Sequence, residues 1–467
     1  MLRSQRRTSG TRFNLFPSYA EGYAEPELAE VSLPAGMIEP GPADPWMYTV
    51  SPISKDVPYD PPSYMPPYRG STYAPALPTS AGHFDRIEFG TVQFLAAHTY
   101  GTVRLVLDIW ERLLGRRITW WHAPAIPRLE LIPIVHWPNA QSGPGFIEMG
   151  QEPDQYGRLQ PFCLNFDVLA HETGHAILFS QVGTAGSVSV PFLAFHESFA
   201  DLMSMIAVLH FPSVQTRLLH QTWGDLYSLN VLTRFGEFSD TQQIRIASNQ
   251  TKMSDVEQIH LAPDGSWVDP AGQNRNQHAI AEPLTGAIFS CFVEIYQDEL
   301  LARRLISPDA DVRGWRREEV ELSMTQVHSE TGQALQRFAS GFYGALAVAR
   351  LAVGRCMAHV IRTVRPDTLT FDRVAARFLE EAVALGHRRN LPALLDHFVW
   401  RGIDPRPFLA IDAPMHHGVG KREQRGQLRM IEVANHTLGC RCHERYGFVD
   451  ANRLMLHPHR MANIRAG

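Results

Sequence analysis

The sequence predicts an α+β protein, with a small mixed lobe followed by a larger, mostly helical one. Two strand-like apolar runs, 128–137 and 145–149, lie close together in the first part of the chain. From about Asp167 onward, apolar residues recur at the three-to-four spacing of helices. The chain has 467 residues, 44% of them hydrophobic. That is ample for a sizeable core and, at about 100–200 residues per domain, for roughly two or three units.

Residues 1–80 hold 14 of the 33 prolines, including the pairs Pro61–Pro62 and Pro66–Pro67. Proline fixes φ and donates no backbone hydrogen bond, so long helices and central strands are excluded here. Tyr48, Tyr59, Tyr64, Tyr68 and Tyr73 are interleaved with the prolines. The segment is either a loose tail or an extended arm that docks on the core or on a partner. Order is expected to begin near Phe84. Thr91–Leu114 reads as one helix closed by Gly115, with Val103, Val106, Ile109, Trp110 and Leu113 among its apolar positions. Arg128–Trp137 and Gly145–Met149 read as strands, the second following the turn residues Ser142-Gly143-Pro144. Helices are expected at Asp167–Val182, Pro191–Phe211, Pro283–Leu305, Gly332–Val364 and Phe371–Leu385, the last capped by Thr370. The stretch from about Asp404 has no clear period. The units expected are therefore 1–80, 81–185, 186–405 and an irregular extension, 406–467.

The formal net charge is −5, and no basic tract extends beyond Arg3–Arg7, so a nucleic-acid surface is not indicated. Cys163, Cys291, Cys356, Cys440 and Cys442 are few and odd in number, which argues against a disulfide-stapled scaffold. Cys440 and Cys442 read as free thiols, because no second pair completes a metal knuckle. No apolar stretch follows the basic N-terminal residues, so no secretory signal is visible and the cytoplasm is the default compartment. No membrane span is expected. Phe338–Val353, the most apolar stretch, is interrupted by Ser340 and Arg350 and reads as a buried helix.

The informative segment is Asp167-Val-Leu-Ala-His171-Glu172-Thr173-Gly174-His175. On a helix His171 and His175 lie one turn apart and point the same way, as two ligands of a tetrahedral metal must. Glu172, beside the first histidine, can reach a water at that metal. Val168, Leu169, Ile177 and Leu178 make the helix a buried one, where two histidines and a carboxylate are costly unless they are used. Downstream, Pro191-Phe-Leu-Ala-Phe-His196-Glu197-Ser-Phe-Ala-Asp201 forms a second apolar helix. Glu197 completes a His₂Glu set for one Zn²⁺ with a position left for water. Asp201, one turn on, can accept the other ring N–H of a ligating histidine. His196 points away from Glu197 by about 100° on a helix and reads as structural.

His171-Glu172-x-x-His175 followed by Glu197-x-x-x-Asp201 resembles the gluzincin metallopeptidases, and among them the thermolysin-like branch. The resemblance covers roughly 84–305 and is concentrated at the two helices. It implies a thermolysin-like zincin in which the small lobe carries an edge strand. Asn139-Ala140, ahead of Phe146–Met149, resembles that strand, whose Asn-Ala pair aligns an extended peptide by strand addition. Asp167 also stands where the family has an aspartate. The resemblance implies a histidine that stabilises the oxyanion just before a helix. His278, ahead of the helix expected at Pro283, is the candidate, with His260 and His328 as weaker ones. Two family features are missing. No tyrosine lies between Ile177 and Phe192, and no calcium-binding acidic cluster follows Asp201, so one zinc and no calcium are expected. The implied activity is a zinc metalloendopeptidase acting on peptides or proteins, with Glu172 as general base. The alternatives are a zinc-binding pseudo-peptidase, motivated by the missing tyrosine, and a Pro-rich adaptor with a structural zinc site.

Overall fold

The computed structural model describes residues 10–17, 26–153, 157–183, 189–227, 249–262, 267–272, 274–275, 277–311 and 317–410, with a few isolated residues between 232 and 246 and at 313. The Arg3–Arg7 stretch, the pair Cys440 and Cys442, and nearly all of the expected extension 406–467 lie outside them. The architecture is mixed α+β, with a small sheet region and a larger helical part.

The chain is ordered well ahead of Phe84. Strands β1 (Gly10–Leu15) and β2 (Glu27–Pro34) pair antiparallel. In β2, Ala29, Val31 and Leu33 are buried and alternate with exposed residues, the period of a half-buried strand. This hairpin packs on α1 (Val92–Leu114). Gly101 permits the approach, since a Cβ there would stand 2.8 Å from the Phe13 ring. Thr91 caps α1 by accepting from the Phe94 amide, and Gly115 closes it with a left-handed φ of 71°.

Strand β3 (Met47–Thr49) is the outer member of a four-stranded sheet in the order β3-β4-β6-β5, with β4 at Leu129–Ile132, β5 at Ala140–Gly143 and β6 at Phe146–Met149. β4 is shorter than the expected 128–137 because Pro133, which has no N–H, follows it directly. Short strands β7 (Gln151–Pro153) and β8 (Leu159–Pro161) form a further antiparallel pair.

The Pro-rich segment is anchored by buried charge. Glu130 on β4 and Glu148 on β6 are both fully buried. Lys55 Nζ lies 2.7 Å from Glu148 Oε1 and over the rings of Tyr59 and Tyr64. The Tyr59 amide and Gln141 Nε2 donate to Glu148 Oε2. The hydroxyls of Tyr59 and Tyr48 donate to Glu130, at 2.5 and 2.7 Å. Prolines exclude regular pairing along most of this stretch. Its tyrosines and one lysine instead supply the donors that two carboxylates in an apolar sheet require.

The helical part begins with α2 (Phe166–Val182) and α3 (Val190–Val208), which pack on each other. It continues through α4 (Pro212–Gln221), the single turn α5 (Met253–Val256), α6 (Gln277–Ala302), α7 (Arg317–Thr363), α8 (Phe371–Ala384) and α9 (Leu391–Val399). α6 lies centrally, against α3, α7 and α9. It begins six residues before the expected start at Pro283, which lies inside it. Proline favours the first helical turn, which suggests a start there, but the burial of Ile280 and Ala281 carries the helix further upstream. α7 also starts earlier than expected and breaks its helical geometry at Phe338 (φ −131°, ψ 37°). By length and composition, His278–Ala302 of α6 and the 326–363 part of α7 are long and apolar enough to cross a membrane. Most of the apolar stretch of α6 is buried inside the fold. Cys163, Cys291 and Cys356 are buried free thiols.

Candidate metal centre

Helix α2 starts from Asn165, whose Oδ1 accepts from the amides of Asp167 and Val168. Ser204 on α3 donates to the Asp167 carbonyl at 3.0 Å and so fixes the start of α2 to its neighbour. Closer to the motif the two helices are nearly in backbone contact. A Cβ on Gly174 would stand 3.0 Å from Ala200 Cα. The small pair Gly174 and Ala200 lets α3 come near enough for Glu197 to reach the α2 histidines.

His171 Nε2 and His175 Nε2 face each other at 3.0 Å. Glu197 Oε2 lies 3.4 Å from the first and 3.6 Å from the second. Among the described residues these three form the one group of histidine, cysteine and acidic side chains suited to hold a metal ion, with their ligand atoms all within 4.8 Å of one another. The separations can be tested against zinc. Bonds of about 2.0–2.1 Å in a tetrahedron place ligand atoms about 3.3–3.4 Å apart, and the three observed values bracket that edge length. The donor set fits.

The surroundings orient the same atoms. Asp201 Oδ1 lies 2.8 Å from His171 Nδ1. With that nitrogen donating to the carboxylate, Nε2 presents its lone pair to the centre. His175 meets the His171 ring edge-on and stacks on His196 at 5.8 Å between centroids. His196 is buried against Phe179 and Phe192, and burial followed by the charge of His175 pushes its pKa down to about 3. Burial alone would raise the pKa of Glu197, but His278, then His175 and His171, hold it well below the usual carboxylate range.

Glu172 is buried in α2 beside His171. Asn139 and Ala140 lie where β5 begins, at the edge of the sheet, and β5 packs on α2. The Asn139 carbonyl accepts from the Gly150 amide, and its Oδ1 accepts from the amide of Ala140. His278 is drawn to the centre but differs from expectation in two ways. It lies in the first turn of α6, not ahead of the helix, and its Nδ1 is 2.8 Å from Glu197 Oε2. That contact is the feature the sequence concealed, because nothing in the spacing relates positions 197 and 278. The weaker candidates have other neighbours. His260 Nδ1 faces the Gln258 carbonyl, and His328 Nε2 lies 3.5 Å from Asp225.

No family model matches the sequence. No curated protein matches it either. Among solved structures, the precursor of protealysin, a metalloproteinase from Serratia proteamaculans, aligns over 76% of this chain and 86% of its own. The identity is 10% and the TM-score 0.42, a likeness too distant to bear on function.

Proposed function

We propose that the protein is a zinc-dependent metalloendopeptidase, with His171, His175 and Glu197 as ligands and Glu172 as general base. The observation that carries this reading is the convergence of two imidazole nitrogens and one carboxylate oxygen at tetrahedral-edge distances, with Asp201 Oδ1 2.8 Å from the other ring nitrogen of His171. A bound Zn²⁺ would supply Lewis acidity, making water easier to deprotonate and a carbonyl easier to attack. The Glu172 carboxylate takes the proton of the attacking water and delivers it to the leaving amide nitrogen. His278 donates from Nε2 to the carbonyl oxygen as negative charge develops there. Asn139 and Ala140, at the sheet edge beside α2, align the peptide in an extended form. No calcium forms part of this proposal.

The test pairs metal content with turnover of a quenched peptide. Wild type is expected to hold one zinc per chain and to cleave. Glu172→Gln is expected to keep the zinc and lose cleavage, since the amide is nearly isosteric but takes no proton at neutral pH. Zinc without cleavage in wild type would favour the pseudo-peptidase, and wild-type turnover in the variant would assign the base elsewhere.

A further inference from the structure

We propose that the Pro-rich segment is part of the peptide-binding apparatus: it braces the edge strand β5, and Gln141 is the positioning residue through which it acts. The inference rests on the metallopeptidase reading above and deepens it, since it concerns what holds the strand that aligns the substrate.

β5 has little to fix its own position. It is the outermost strand of its sheet, and its four residues, Ala140-Gln141-Ser142-Gly143, include no large apolar side chain. So short a strand, paired along one side, is marginal without further support. Its partner β6 runs antiparallel, with Gln141 opposite Glu148. The Gly150 amide donates to the Asn139 carbonyl. Hydrogen-bonded pairs alternate along such a ladder, so Gln141 turns its backbone groups to β6, whereas Ala140 and Ser142 turn theirs to the outer edge. Those are the groups with which an added peptide strand would pair.

The side chain of Gln141 has a different task. Gln141, Tyr59 and Glu148 close a ring of three hydrogen bonds. Gln141 Nε2 donates to the Tyr59 carbonyl at 2.9 Å and to Glu148 Oε2 at 2.8 Å. The Tyr59 amide donates to the same Oε2 at 2.8 Å. Both N–H groups of one side-chain amide are thus in use, and Tyr59 is held by its own N–H and C=O alike. The Tyr59 ring also packs on Phe146 of β6, with centroids 4.9 Å apart. A second anchor lies on the other side of Asn139, where the His136 amide donates to the Lys55 carbonyl at 2.8 Å. Asn139 and Ala140 therefore sit between two points, His136 and Gln141, at which the Pro-rich segment grips the chain. None of these bonds involves His171, His175 or Glu197. The brace governs where a peptide lies, not whether the metal is held.

The experiment compares two substitutions in the full-length chain. Gln141→Met keeps the length of the side chain and removes both donors. Gln141→Lys keeps a donor that reaches both acceptors. The readouts are kcat and KM on an extended quenched peptide, zinc affinity by competition with a chromophoric chelator, and amide hydrogen exchange in 140–149 and in α2. Gln141→Met is expected to raise KM by about 10-fold with little change in kcat, because alignment contributes equally to bound substrate and transition state. It is expected to speed exchange in 140–149 and to leave zinc affinity and exchange in α2 at their wild-type values. Gln141→Lys is expected to return KM towards wild type. An unchanged KM in Gln141→Met would overturn this inference and leave the metal reading intact. So would a joint fall in kcat, zinc affinity and α2 protection, the mark of a general loss of stability. A wild-type chain that cleaves no peptide would instead sink the metallopeptidase reading, and this inference with it.

Discussion

Two clusters of buried charge in this molecule follow opposite plans. Around Glu130 and Glu148 the chain supplies its own cation and its own donors: Lys55, three tyrosines and Gln141 answer the carboxylate oxygens. Around Glu197 the principal groups are electron-pair donors that converge on one another, two imidazole nitrogens and a carboxylate oxygen. A carboxylate buried with its counter-ion reads as structure. Donors that crowd together at coordination distances read as a place for an ion from outside. The same residue types thus carry different meanings, and the direction in which the lone pairs point distinguishes them.

The comparison predicts which property each cluster controls. The largest effect is expected at Glu197. Glu197→Ala should abolish zinc retention, because it removes one of only three protein ligands; stoichiometric zinc by metal analysis would refute the assignment. Lys55→Met is expected to cost roughly 3–5 kcal/mol of stability, the penalty for leaving Glu148 buried without its partner. Adding Glu148→Gln should recover part of that loss in denaturant titrations. Zinc affinity per folded chain should not change in either variant, and a fall in both properties together would merge the two clusters into one.

Asp201→Asn should weaken zinc by about 10–100-fold without eliminating it. The amide oxygen can still accept from His171 Nδ1, but the negative charge is gone. Unchanged affinity in the chelator competition would detach Asp201 from the site.

The clusters should also separate by pH. Burial and then the hydrogen bond to Glu130 raise the hydroxyl pKa values of Tyr59 and Tyr48 above the usual 10.0. A raised value in the folded state means that the stabilisation is present below pH 10 and is lost as pH rises beyond it, by at most about 1.4 kcal/mol per pH unit for each tyrosine. Glu197 behaves in the opposite sense in the metal-free chain. Its lowered value means that its contribution is present above pH 4.5 and is lost as pH falls below it. Melting curves from pH 3 to 11 on wild type, Tyr59→Phe and Glu197→Gln would check both limbs. An alkaline limb unchanged by Tyr59→Phe would count against the role given to the tyrosine.

The sequence displayed the metal cluster far better than the clamp, for a physical reason. His171 and His175 belong to one helix, so helical pitch brings them together, and Glu197 and Asp201 repeat the same one-turn spacing on the next helix. The start and end of α1 were equally legible, since Thr91 and Gly115 act locally. The clamp depends on pairings between a proline-rich segment and strands far along the chain, which no local period records. Its one signal was a single glutamate in each of two otherwise apolar strands, Glu130 in Leu-Glu-Leu-Ile and Glu148 in Phe-Ile-Glu-Met. The contact between His278 and Glu197 was hidden for the same reason, and the extent of α6 was misjudged because Pro283 resembles a helix start.

The docking of the Pro-rich segment also sets a timetable for synthesis. Tyr59 finds its partners Glu130 and Glu148 only 71 and 89 residues later. At about 5–20 residues per second on the ribosome, the segment waits roughly 4–18 seconds for the second of them. Through that interval it carries Tyr48, Tyr59, Tyr64 and Tyr68, aromatic side chains that would readily join another nascent strand. The prolines guard against this, since a backbone stripped of regular N–H donors is a poor template for stray β-pairing. The composition that keeps this segment from becoming a central strand also makes it a poor partner for stray strands until the sheet it belongs to has been made.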